Sequence, residues 1–150
     1  MAINLTSTTF AANQPIPKKY TGEGVNHSPP LSWSGVPQGA KELALICDDP
    51  DAPTAKPWVH WVVYKIPPMQ SGLPEGVQDN LTEGQNDFNK TSYGGPMPPP
   101  GHGVHHYRFH LYALDISLLA GPGLTKEQLM DAMRSHILAE GELVGTYERT

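Results

Sequence analysis

The stretch Trp58-Val59-His60-Trp61-Val62-Val63-Tyr64-Lys65-Ile66, closed by Pro67-Pro68, decides the fold. β-Branched and aromatic side chains fill it, the types that suit a pleated, half-buried surface, and the two prolines end its pairing. Alternation places Trp58, His60, Val62 and Tyr64 on one face and Val59, Trp61 and Val63 on the other. Both faces are largely apolar, so this is a central strand with His60 near its start.

Similar runs lie on either side. Leu43 to Cys47 is a compact apolar run bounded by turns, read as a buried strand. Val104 to Leu114 reads as a second long strand, Ile3 to Phe10 as an alternating first one, and Leu143 to Tyr147 as a last one. One helix is predicted. Thr125 and Gln128 have capping-box spacing, Leu129, Met133 and Ile137 with Met130 and Leu138 form an apolar stripe, and Gly141 ends it. The expected architecture is mainly β: an antiparallel, Greek-key-like β-sandwich with one appended helix in the C-terminal region. It forms a single domain over residues 1–150.

Composition agrees. Charged residues are 17% of the 150, with 15 glycines and 16 prolines, which favours strands and loops over a charged helical surface. The net charge of −5 and the lack of a basic stripe argue against nucleic acid, whose phosphates dominate such binding. No apolar run approaches the roughly 20 residues of a membrane span. The opening MAINLTSTTF has neither a basic nor a hydrophobic leader region, and Cys47 is the single cysteine. The expectation is a cytoplasmic protein with no internal disulfide.

Three stretches set reactive side chains in restrained backbone. Asp48-Asp49-Pro50-Asp51-Ala52-Pro53 ends the first buried strand in a proline-stiffened turn. Its plain reading is that Asp49 and Asp51 cap backbone N–H groups. Trp58 and His60 open the central strand, where a lone histidine is ordinarily a hydrogen-bonded core residue. From Tyr93 to Val104, eight of twelve residues are Gly or Pro, and the loop feeds His105-His106-Tyr107. Alternation puts His105 and Tyr107 on one face with Phe109 and Leu111, and His106, Arg108 and His110 on the other.

At these residues the chain resembles the phosphatidylethanolamine-binding protein family, which includes the Raf kinase inhibitor proteins, in its short bacterial and archaeal branch. The shared marks are the DPDAP turn at Asp49 to Pro53, Trp58 and His60 on the next strand, and the Gly-Pro loop Gly94 to Gly103 before His105-His106-Tyr107. His106 stands where the family usually has arginine. The resemblance implies a β-sandwich with a small anion pocket for phosphate or a phospholipid head group. Carried over by motif, the ligand-binding residues are Asp49, Asp51, Pro53, Trp58, His60, Gly95, Pro99, His105 and Tyr107. The run PMPPPG admits more than one register at Gly95 and Pro99.

The leading expectation is a non-enzymatic protein with no cofactor and no metal, binding a small phosphorylated or zwitterionic ligand. Phosphate would face the histidines and loop N–H groups, while the aspartates orient the histidines or meet an ammonium; in the latter case phosphoethanolamine should outbind phosphate, most tightly near pH 6.5. Replacing His105 by alanine is expected to remove the phosphate contribution and leave the fold intact. Other readings are a loop-mediated inhibitor of a protease or kinase, and a metal-dependent hydrolase using Asp49, Asp51, His60 and His105. A homodimer is a further expectation. So is a cis peptide bond at Ala52–Pro53 or Lys56–Pro57, because X–Pro bonds carry only a small cis penalty.

Overall fold

Strands form where the apolar runs lie, and turn chemistry sets their ends. A computed structural model describes residues 2–150. In chain order the elements are β1 (Asn4–Thr6), β2 (Gln14–Pro15), β3 (Leu31–Ser34), β4 (Glu42–Asp49), β5 (Trp58–Ile66), β6 (Gly72–Leu73), β7 (Thr82–Glu83), β8 (His105–Leu114), α1 (Lys126–Met133) and β9 (Ile137–Tyr147). A six-stranded sheet runs β2-β9-β8-β4-β5-β7, and a three-stranded sheet β1-β3-β6. All pairings are antiparallel except the two-residue edge β2–β9. The expected β-sandwich with one appended helix is borne out.

Two cores hold the layers together. Between the sheets, Leu5, Leu31, Trp33 and Leu73 pack on Leu45, Trp61, Val63, Phe109, Leu111 and Leu143. On the outer face of the large sheet, Ala44, Ile46, Val62, Tyr64, Tyr112 and Leu114 are covered by Leu118 and by Leu129 and Met133 of α1. An eight-residue helix is marginal by itself. Burial of those two side chains, each worth roughly 1.5–3 kcal/mol, anchors it. The capping box is present: Thr125 Oγ1 accepts from Gln128 N at 3.2 Å, and Gln128 Oε1 accepts from Thr125 N at 3.0 Å.

The helix is shorter than its apolar stripe. It stops at Met133, Ser135 turns the chain with φ of 69°, and Ile137 already pairs with Leu114 in β9. A stripe at i+4 spacing satisfies strand alternation equally well, and sheet pairing decided between them. Gly141 therefore lies inside a strand, where any Cβ would collide with the Ile3 carbonyl. The first strand is also shorter than its alternation, for Ser7 caps the backbone of Thr9 and donates to the Pro30 carbonyl at 2.7 Å.

Candidate functional site

The inner ends of β4, β5 and β8 converge on one cavity of about 230 Å³. Asp48 and Asp49 end β4 and point to opposite faces, as neighbours on a strand must. Asp48 faces outward, where it accepts from Arg108 Nε at 2.9 Å, Arg108 Nη2 at 3.1 Å and Lys126 Nζ at 2.7 Å. Burial pushes its carboxyl up, but the two cations outweigh burial and hold it below the ordinary range. This ion cluster ties α1 to the sheet behind the cavity.

Asp49 faces the cavity, with both oxygens in use. Oδ1 accepts from Asp51 N at 2.8 Å, and Oδ2 accepts from His105 Nδ1 at 2.6 Å. The pair is buried, with side-chain exposures of 2% for His105 and 5% for Asp49. The His105 proton is thereby fixed on Nδ1, and in the neutral ring Nε2 is an acceptor. That nitrogen takes the Nδ1–H of His102 at 2.6 Å.

His60 reaches the cavity through a β-bulge. Cys47 pairs with Trp61 and Asp48 with Val59, which leaves His60 as the extra residue on β5. Strict alternation therefore fails here. Val59, Val62 and Tyr64 pack in the outer core, Trp61 and Val63 in the inner one, and His60 is turned toward Tyr107 at 5.1 Å between ring centroids. The expected grouping of His60 with Val62 and Tyr64, and of Val59 with Trp61, is corrected by this one inserted residue. His60 Nδ1 donates to the Gly94 carbonyl at 2.6 Å. Burial depresses its basicity more than the Gly94 carbonyl and the Asp49 charge restore it, so the imidazole stays neutral at pH 7.

Tyr107 is 1% exposed, its phenol pushed strongly upward by burial and by Asp49. Its hydroxyl bonds no other described residue, which leaves it available to an occupant of the cavity. The walls are apolar: Trp58, Phe88, Met97, Pro98, Pro99, Pro53 and Ala52, with Thr54 at the mouth. Phe88 meets Trp58 and His60 edge to face at 5.5 and 5.4 Å.

Seven of the nine residues carried over by motif thus lie together: Asp49, Pro53, Trp58, His60, Pro99, His105 and Tyr107. Two do not. Asp51 turns to the outer side, where Oδ2 accepts from His106 N and from His106 Nδ1, both at 2.8 Å. Gly95 is not among the residues lining the cavity: its N–H donates to Asn26 Oδ1 at 2.8 Å, and a Cβ would strike the Tyr20 carbonyl. Its role there is close packing.

Within the cavity the one carboxylate, Asp49, is already engaged through both oxygens, which weakens the basis for the expected preference for a zwitterion. Ala52–Pro53 and Lys56–Pro57 are both trans, which corrects the expected cis bond. Among the described residues no three His, Cys, Asp or Glu side chains gather as metal ligands. No described helix is long and apolar enough to cross a membrane.

Sequence reading missed Phe88 and Met97, and weighed His102 only for a metal-like spacing with His105 and His106. Phe88 is a lone aromatic in a polar loop, and His102 stands between two glycines three residues before His105. Those were the available signals.

A family profile described as phosphatidylethanolamine-binding protein matches residues 6–148. A UPF0098 protein of Methanothermobacter thermautotrophicus is 50% identical over 153 residues, covering 98% of this chain and 99% of its own. A phosphatidylethanolamine-binding protein homolog from Chlamydia trachomatis superposes with a TM-score of 0.93 at 47% identity, covering 99% of both chains. E. coli YbcL, described as a new member of the mammalian phosphatidylethanolamine-binding protein family, superposes with a TM-score of 0.92 at 30% identity over 100% of both chains.

Proposed function

The chain belongs to the phosphatidylethanolamine-binding protein family, and on that footing we propose that it is a non-catalytic protein binding a phosphate monoester in this cavity. The observation that carries the reading is the contrast between floor and walls. Hydrogen-bonding groups of His60, His105 and Tyr107 meet at the base, and the sides are almost wholly apolar. A phosphate fits the base and a short organic group the walls. No serine, cysteine or lysine lines the cavity, and the one hydroxyl nucleophile type at its rim, Thr54, donates to the Lys56 carbonyl rather than to an imidazole.

The charge balance selects the ionisation state. No Lys or Arg lines the cavity and Asp49 lies at its floor, so a dianion is poorly matched. A monoanion keeps one P–OH, which donates to a neutral imidazole nitrogen while another oxygen accepts from the Tyr107 hydroxyl. Affinity should therefore rise as pH falls through the second phosphate pKa, near 6.

Calorimetric titration with inorganic phosphate, ethyl phosphate and phosphoethanolamine tests this. Ethyl phosphate should bind up to about fifteenfold tighter than phosphate, since the two carbons of the ethyl group are worth about 0.8 kcal/mol each when fully buried. Phosphoethanolamine should gain nothing over ethyl phosphate. Absence of NMR shifts at His60, His105 and Tyr107 with all three ligands would overturn the reading.

A further inference from the structure

His105 has both ring nitrogens occupied before any ligand arrives, and the two bonds differ in kind. The bond to Asp49 is buried, and breaking it would strand a carboxylate. The bond to His102 is peripheral. His102 is exposed, its ring centroid is 4.9 Å from that of His105, and it lies between Gly101 and Gly103 with φ of 73° and 88°. Neither glycine has a heavy atom within 4 Å of the place a Cβ would take, so no packed neighbour blocks a movement of the turn at these two residues. Two backbone bonds tether it, Gly101 N to the Arg149 carbonyl at 3.0 Å and His102 N to the Pro99 carbonyl at 3.2 Å.

We propose that His102 is the gating residue of the cavity: its ring holds the His105 nitrogen that a phosphate must reach, and it swings out on Gly101 and Gly103 as the ligand enters. This rests on the reading of the cavity as a phosphate site. The exchange is inexpensive, because the displaced imidazole passes into water and the P–OH of the ligand replaces its N–H at Nε2. It also confers selectivity, since an apolar molecule brings no hydrogen bond to replace the one it would break.

The test is calorimetric titration of wild type and His102→Ala with inorganic phosphate near pH 6, alongside imidazole ¹⁵N spectra. A competitor worth one net hydrogen bond, about 0.5–1.5 kcal/mol, predicts phosphate binding roughly two- to tenfold tighter in His102→Ala. In wild type, phosphate should move the His102 and His105 signals together. Equal or weaker affinity in the variant overturns the gate, as does a His105 shift with His102 unmoved. Absence of binding in both proteins overturns the phosphate reading as well, so equal measurable binding tells the two failures apart.

Discussion

His105 serves two partners, and substitutions can separate them. Its Nδ1–H satisfies buried Asp49, and its Nε2 accepts from His102 at the place where the proposed ligand would bind. In His105→Ala the Asp49 carboxylate, 3% exposed as a residue, loses a charge-assisted donor and gains a void beside it. Removing one partner of a buried pair costs about 3–5 kcal/mol. For a domain of this size that is a fall in Tm of roughly 6–20 °C. The expectation from sequence that alanine leaves the fold intact thus becomes that of a folded but clearly less stable variant.

Asparagine places an amide N–H near the position of Nδ1 and has nothing at Nε2. His105→Asn should therefore lose no more than about 1 kcal/mol, yet bind phosphate as poorly as the alanine variant. Thermal and urea unfolding measure the first role, and calorimetry with phosphate the second. If alanine and asparagine destabilise equally, the bond to Asp49 is not what His105 contributes to the fold. If asparagine retains full phosphate affinity, Nε2 is not the ligand contact.

Two further predictions concern pH and charge. The unfolded chain protonates His60 near pH 6.5 whereas burial makes the folded one resist. The unfolded state thus binds more protons below that pH, and stability should fall as pH drops from 6.5 until the folded imidazole also protonates. Urea unfolding between pH 5 and 8 should show this slope in wild type and a weaker one in His60→Gln; identical slopes would refute it. Asp48 has the sign of a depressed carboxylate: its contribution is complete above its unfolded pKa, near 3.9, and is lost as pH falls through the lower folded value. Asp48→Asn should lose about 2–4 kcal/mol at pH 7, because Arg108 and Lys126 are partly exposed and relax into water. That deficit should shrink in acid, and an undiminished deficit at pH 2 would argue for packing instead.

What the sequence disclosed follows from which rules are local. The span Trp58–Ile66 was readable because composition and a double proline define a strand without reference to neighbours. The faces of that strand were not, because the bulge at His60 is set by pairing with β4. The capping box marked the start of α1, but its end depended on Ile137 finding Leu114. The site was legible as motifs, and seven of nine residues assemble around the cavity. Asp51 escaped because a turn, unlike a strand, imposes no alternation, and His106 was there to bind it. Phe88 and Met97 come from loops whose path no periodicity describes.

The division between a polar base on strands and apolar sides on loops makes the cavity modular. Asp49, His60, His105 and Tyr107 sit on β4, β5 and β8, whose positions are locked by ladders on both sides. Phe88, Met97, Pro98 and Pro99 sit on connections that carry no ladder. Side chains on such connections can be exchanged without shifting a strand. Retargeting this scaffold to a bulkier or flatter organic group is thus a matter of recasting positions 54, 88 and 97, with Asp49, His60, His105 and Tyr107 left as they stand.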